Sequence, residues 1–265
     1  MRKYLIPLLG LFLCWTRPAS AAFSCTYTSN TTHSVTSPAT AVVTFTPALH
    51  DALFVVGAAW NNAGSAPTIA VSDNNLNSYG TVAGASTTRG GGVSWSTATL
   101  FDELNVNATS TTITVTGTFG AGGAPNDIDV DILVADCSGV ATSSALDQAN
   151  VNTSSSSANI NTGNITTLAN SEYVLTYVFN QSDNSAMTVA ASFTKQTGQN
   201  NADGTASALG DQFPLNIGTY SATWTPGSGN GSMISGIASF KPAAAGGGGG
   251  GMGGKAGMGA KAGLG

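Results

Sequence analysis

The sequence is poor in the side chains that do chemistry. Its 265 residues hold eight Lys and Arg, two His and three Cys, and charged residues make up 8% of the chain. Between Phe23 and Pro242 the only cations are Arg89, Lys195 and Lys241, and the only histidines are His33 and His50. Each scarcity excludes something. Gripping a phosphate backbone requires Lys and Arg to displace counterions, so the sequence argues against nucleic acid and anionic membrane surfaces as partners. A Ser-His-Asp nucleophile needs a histidine base, and no G-x-S-x-G elbow accompanies either histidine. His50-Asp51 reads as a turn between strands. Two histidines and scattered cysteines form no zinc pattern. No Gly-rich loop follows a strand and opens a helix to cradle a nucleotide. Helical periodicity is missing over any useful length.

What fills the chain instead is hydroxyl. Ser and Thr supply 61 of the 220 residues from Phe23 to Pro242. A polar surface built from hydroxyls and amides points to an extracellular β-protein. The N-terminus agrees. Arg2 and Lys3 precede an apolar core from Tyr4 to Trp15, and Ala19-Ser20-Ala21 offers a small-x-small cleavage site, so residues 1–21 read as a signal peptide. Cys14 raises lipid attachment, against which stands bulky Leu13 just before it. Beyond the leader no stretch is apolar enough to span a bilayer, and the expected location is secreted or at the cell surface. The chain after the leader carries five basic and thirteen acidic residues, a net of −8. Its two cysteines, Cys25 and Cys137, suggest one disulfide in an exported chain, the alternative being two separate buried thiols.

The body over residues 22–242 alternates strand-like runs with Gly, Asn, Ser and Pro punctuation. Ala52 to Trp60 and Glu172 to Phe179 are continuous apolar runs, as expected of central strands covered on both faces. Thr112 to Phe119, Asp127 to Val134 and Ala186 to Thr194 alternate with period two, which predicts one face on a core and one in water. On that pattern Ile128, Val130, Ile132 and Val134 face in and Asp127, Asp129 and Asp131 face out. Gly80 to Gly92 and Ala141 to Gly163 read as loops, with Ser154 to Ser157 a flexible crossing between halves. The order of runs from Ala52 to Ala135 is echoed weakly from Glu172 to Phe240. The expected fold is an all-β, antiparallel, jelly-roll-like β-sandwich of about ten or more strands. Residues 243–265, Gly-rich with Lys255 and Lys261, cannot bury a core and are expected to be disordered.

Few constellations remain for chemistry. Asp127, Asp129 and Asp131 share a strand face, where a hard cation such as calcium would relieve their repulsion. Asp73, Asn74, Asn75 and Asn77 form a second oxygen-rich loop and a further candidate for calcium. Asp102-Glu103 is the acid pair that glycoside hydrolysis would require, although neighbours on a strand point to opposite faces. Trp60, Trp95 and Trp224, with Tyr79, are the aromatics that could stack on sugars beside Asn and Asp.

Val71-Ser72-Asp73-Asn74-Asn75-Leu76-Asn77-Ser78-Tyr79 resembles a V-x-D-x-x-G-N-x-Y segment. Asp136-Cys137-Ser138-Gly139-Val140 and Gly218-Thr219-Tyr220 fit later strands of the same pattern. Over residues 40–241 the chain is similar to a loose group of exported bacterial single-domain β-sandwich proteins. The resemblance implies a fold and export, and carries no activity and no functional residues. It departs at Leu76, where the group has Gly, which puts the tight turn there in question. The function expected is a non-catalytic extracellular module, with a glycan as ligand class. A structural or adhesive surface protein is the rival, and a carboxylate-dependent glycan hydrolase the third reading.

Overall fold

A computed structural model of the chain describes residues 22–62, 64–91, 94–107, 113–120, 128–182, 185–200 and 204–244. The expected signal peptide, Asp127 and residues 245–265 of the tail lie outside them. The described chain is all β, with eighteen strands in antiparallel sheets. No helix among the described residues is long and apolar enough to cross a membrane, which says nothing of a β-barrel.

The first half contributes β1 (Ser24–Val35), β2 (Ala39–Phe45), β3 (Ala52–Asn61), β4 (Thr68–Asp73), β5 (Gly80–Gly91), β6 (Ser94–Glu103), β7 (Ile113–Gly120) and β8 (Ile128–Ser138). The second contributes β9 (Leu146–Ser157), β10 (Ile160–Asn161), β11 (Ile165–Thr166), β12 (Glu172–Asn180), β13 (Thr188–Val189), β14 (Thr194–Asn200), β15 (Ala206–Leu215), β16 (Thr219–Tyr220), β17 (Thr223–Thr225) and β18 (Gly231–Phe240).

The two halves share one topology. In the first, a five-stranded sheet runs β1-β8-β3-β6-β5 and a three-stranded sheet runs β2-β7-β4. In the second, the five-stranded sheet read from its other edge runs β9-β18-β12-β15-β14, and the small sheet runs β10-β17-β13. Strand for strand the orders coincide, and the second half adds a separate two-stranded sheet, β11-β16. The register agrees as well. Cys137 lies between Cys25 and Ala52, and Phe240 lies between Leu146 and Tyr173. The weak echo in the sequence thus has a topological counterpart.

Three apolar layers lie between the two large sheets and between each large sheet and the small sheets over its other face. Leu53, Val55, Phe119, Ile128 and Ile132 pack between the first large sheet and its small sheet. Val174, Val178, Ile237 and Trp224 pack between the second pair. Between the two large sheets lie Phe54, Val56, Leu133, Leu175, Tyr177 and Leu209, drawn from both halves. The apolar runs of β3 and β12 are central for this reason, because each has a core on both faces. Tyr177 crosses the middle layer and donates its hydroxyl to Ala85 carbonyl at 2.8 Å. Its ring needs Gly236 on the neighbouring strand, where a Cβ would sit 2.5 Å from it. At one end of the layer Phe54 meets Phe240 at 4.2 Å and Tyr173 at 5.8 Å between ring centroids. The Cys25–Cys137 disulfide closes this end of the first large sheet.

Four expectations need correction. Asp129 and Asp131 do not face water; they are 0% and 1% exposed, because the second large sheet covers the face of β8 opposite the Ile and Val side chains. Residues 186–194 are not one strand, since β13 ends at Val189 and a turn leaves Ala191 exposed. Gly80 to Gly91 is an edge strand rather than a loop, bent between Thr81 and Ser86, where Gly84 takes φ +79°. Ala141 to Gly163 is not one loop, since Leu146–Ser157 forms β9, of which Ser154 to Ser157 is the end.

Candidate functional site

The aromatic candidates are largely absorbed by the fold. Trp224 is fully buried and donates its indole N–H to Thr176 hydroxyl at 3.0 Å. Trp60 is half-buried against the middle layer, with its indole N–H on Ser94 hydroxyl at 2.9 Å. Trp95 is half-buried opposite Asn61 on the neighbouring strand. Tyr79 packs against the first outer layer and donates to Asp73 at 2.9 Å. The four rings do not assemble into one platform.

Asp73 is a staple for its loop. Its two oxygens accept from Asn75 N–H at 2.9 Å, Asn77 N–H at 3.1 Å, Asn77 Nδ2 at 2.6 Å and Tyr79 hydroxyl at 2.9 Å. A carboxylate has about four lone-pair sites, so these donors occupy the group that calcium would require. Burial and the adjacent carboxylate push the Tyr79 hydroxyl well up, and it stays protonated as a donor. The motif segment is therefore a structural turn. Leu76 keeps that turn in the left-handed conformation, at φ +60°, with its side chain 92% exposed. An L-residue there costs roughly 1–2 kcal/mol, which Asn tolerates better. Leu76→Asn is expected to stabilise the protein by about 0.5–1 kcal/mol, and thermal melting should rise by about 2–4 °C per kcal/mol. An unchanged or lower melting temperature would show that the turn is not strained.

Asp129 and Asp131 belong to a polar seam along one flank of the middle layer. Alternate residues of β1 face the second large sheet. Tyr27 donates to Asp211, which also accepts from Gln196 Nε2 at 2.7 Å. Two residues on, Ser29 hydroxyl shares a hydrogen bond with Thr197 at 2.7 Å and accepts from Gln199 at 2.8 Å. Two further on, Thr31 lies beside Asp131, with Ser207 approaching from the other sheet. Burial pushes the Asp131 carboxyl up to about 6, and neighbouring Asp129 adds to the rise. Among the described residues no three His, Cys, Asp or Glu side chains converge as a metal cluster would.

Asp102 and Glu103 diverge. Glu103 accepts Ser78 and Asn105 N–H groups at 3.0 and 3.1 Å. Burial, with Glu103 next to it, raises the Asp102 carboxyl to about 6. His50 sits in a turn at φ +70°, its Nδ1 2.7 Å from Asn105 Oδ1.

Sequence reasoning missed two other acid pairs, at matching places in the two halves. Asp51 precedes β3, and Asp136 lies opposite Leu53. The Asp136 carboxyl is within hydrogen-bonding reach of Asp51 and Thr26; burial and the Asp51 charge raise it to about 7. Glu172 opens β12, and Ser239 lies opposite Val174. The Glu172 carboxyl is raised by burial and by the nearby charge of Asp147, with Ser239 favouring its ionised form. Each half thus joins two acids and one hydroxyl at this place. The shared signal was an acid at the start of each apolar run. Carboxyls within hydrogen-bonding reach are closer than the roughly 5–9.5 Å that glycoside hydrolysis uses.

The Cys25–Cys137 disulfide is of the kind that oxidising, extracellular compartments sustain. No protein-family model matches the chain, and the comparison with curated proteins finds no match.

Proposed function

We propose that this is an exported, non-catalytic structural or adhesive module of the cell surface or extracellular space. The observation that carries the reading is the outward face of the two small sheets. On the first, Thr40 lies opposite Thr118 and Thr44 opposite Thr114, with Thr68, Ala70 and Ser72 on the third strand. On the second, Asn161 Nδ2 donates to Thr223 at 3.1 Å, and in the neighbouring two-stranded sheet Thr166 pairs with Thr219 at 3.1 Å between hydroxyls. The strands of both small sheets contain one charged residue, Asp73, whose carboxylate is held by its own loop. Hydroxyl-bearing, uncharged faces on the outer sheets of both halves suit a building block that meets other surfaces through shape and neutral hydrogen bonds.

The resemblance to exported bacterial sandwich proteins fits this reading. Capture of a glycan has less support, because Trp224, Trp60 and Tyr79 use their polar atoms within the fold. A glycan array probed with residues 22–244, with and without calcium, tests the choice. Background signal throughout is the expected result. Reproducible binding of one glycan class, lost in Trp60→Ala, would overturn the structural reading in favour of glycan recognition.

A further inference from the structure

The matching acid pairs differ in one respect. In the second half a cation is built in: Lys241 Nζ lies 3.8 Å from Asp147 Oδ1, whose side chain is only 2% exposed. Lys241 follows Phe240, and the register makes Phe240 the counterpart of Cys137. The counterpart of Lys241 is therefore Ser138, which brings no charge. The first half has a pocket of about 250 Å³ in the gap between β1, β8 and β2. Thr26, Thr28, Thr44 and Asp136 line it with oxygen, and Tyr27, Phe45 and Val134 complete the wall. Asp136 is 8% exposed, and its Oδ1 has no hydrogen-bond partner among the described residues. A buried carboxylate oxygen without a donor, on the wall of an oxygen-lined pocket, is an incomplete arrangement.

We propose that this pocket binds a calcium ion, held by the Asp136 carboxylate and threonine hydroxyls of β1 on its wall, with the Asp51 carboxylate, within hydrogen-bonding reach of Asp136 at the pocket's edge, as the second acid. The ion takes the place that the Lys241 ammonium has in the other half. Calcium fits the donor set, since it accepts six to eight oxygens in irregular geometry, whereas magnesium demands a near-ideal octahedron. A site with only two carboxylates suggests the weak class of extracellular calcium modules, with a dissociation constant of about 10⁻⁴–10⁻³ M. The site does not depend on the surface reading given above.

Tyr27 borders the pocket with its hydroxyl turned to Asp211, and a tyrosine this near a bound terbium ion sensitises its emission. Terbium added to the calcium-free protein should give emission that calcium displaces. Millimolar calcium should raise the melting temperature by several degrees. Asp136→Asn and Asp51→Asn should lose both responses, while Glu172→Gln, at the matching place in the other half, should keep them. Ser138→Lys transplants the built-in ammonium, and should remain folded without calcium and no longer respond to it. Absence of a calcium-dependent shift in the unaltered protein, or a full response in Asp136→Asn or in Ser138→Lys, would overturn the proposal.

Discussion

Replacing Cys25 and Cys137 together by alanine is expected to lower stability by roughly 4–5 kcal/mol, through release of a long loop in the unfolded chain. The bridge spans a sequence separation of 112 residues, and in the chain-entropy account the stabilisation grows with the logarithm of that length. Position makes the loss larger rather than smaller. Cys137 is fully buried on a central strand, and Cys25 fastens β1, the edge strand that carries Tyr27, Ser29 and Thr31 into the seam. Loosening β1 therefore weakens the first large sheet and its packing on the second. Guanidinium denaturation of the native and doubly substituted proteins measures the effect. Equal midpoints would mean that the bridge does not restrain the unfolded chain.

The second large effect is on pH. Stability should be higher at about pH 4.5 than at about pH 8, the reverse of the behaviour of proteins whose carboxylates are ion-paired. Asp131, Asp102, Asp51, Glu172 and Asp211 all have carboxyls raised first of all by burial. An acid that holds its proton more tightly when folded gives stability that is complete below its unfolded value and is lost as pH rises through the folded one. Asp131 is the clearest case, since it is 1% exposed and its carboxyl is raised from 3.8 to about 6. That difference alone corresponds to roughly 3 kcal/mol lost between about pH 4 and pH 6. Asp131→Asn should flatten this part of the profile and stabilise the protein at about pH 8 by up to roughly 3 kcal/mol. Denaturation in the presence of a chelator, across that range, is the measurement. Stability that rises steadily from acid to alkaline pH would contradict the buried-acid account.

How much of this was legible in the sequence follows from what each pattern encodes. A continuous apolar run such as Ala52 to Trp60 encodes coverage of both faces, and β3 and β12 are indeed the middle strands of their sheets. Alternation encodes only which residues share a face. In β7 the expectation that threonines face outward is met by Thr118, which is exposed, while Phe119 is buried. In β8 the same pattern misled, because a second sheet lies over the aspartate face, and polar seam residues from β14 and β15 make that face habitable. Composition misled at β5, where glycines serve an edge strand and its bend. The candidate calcium site was hidden for a different reason. Asp51 and Asp136 sit in no common motif, and strand pairing alone brings them together. Alignment of the two halves on their apolar runs would have placed Asp51 over Glu172, since each lies just before the matching apolar run. The Leu76 departure was legible as a position, but only the backbone shows that the turn survives with leucine in the glycine conformation.

The two halves form one body through the layer between their large sheets, where Phe54, Tyr173, Tyr177 and Phe240 are all buried. Differential scanning calorimetry of the disulfide-intact protein tests it most directly. A shared core predicts a single transition whose calorimetric and van't Hoff enthalpies agree. Two resolved transitions, each with about half the total enthalpy, would show that the halves unfold independently, and would contradict the account.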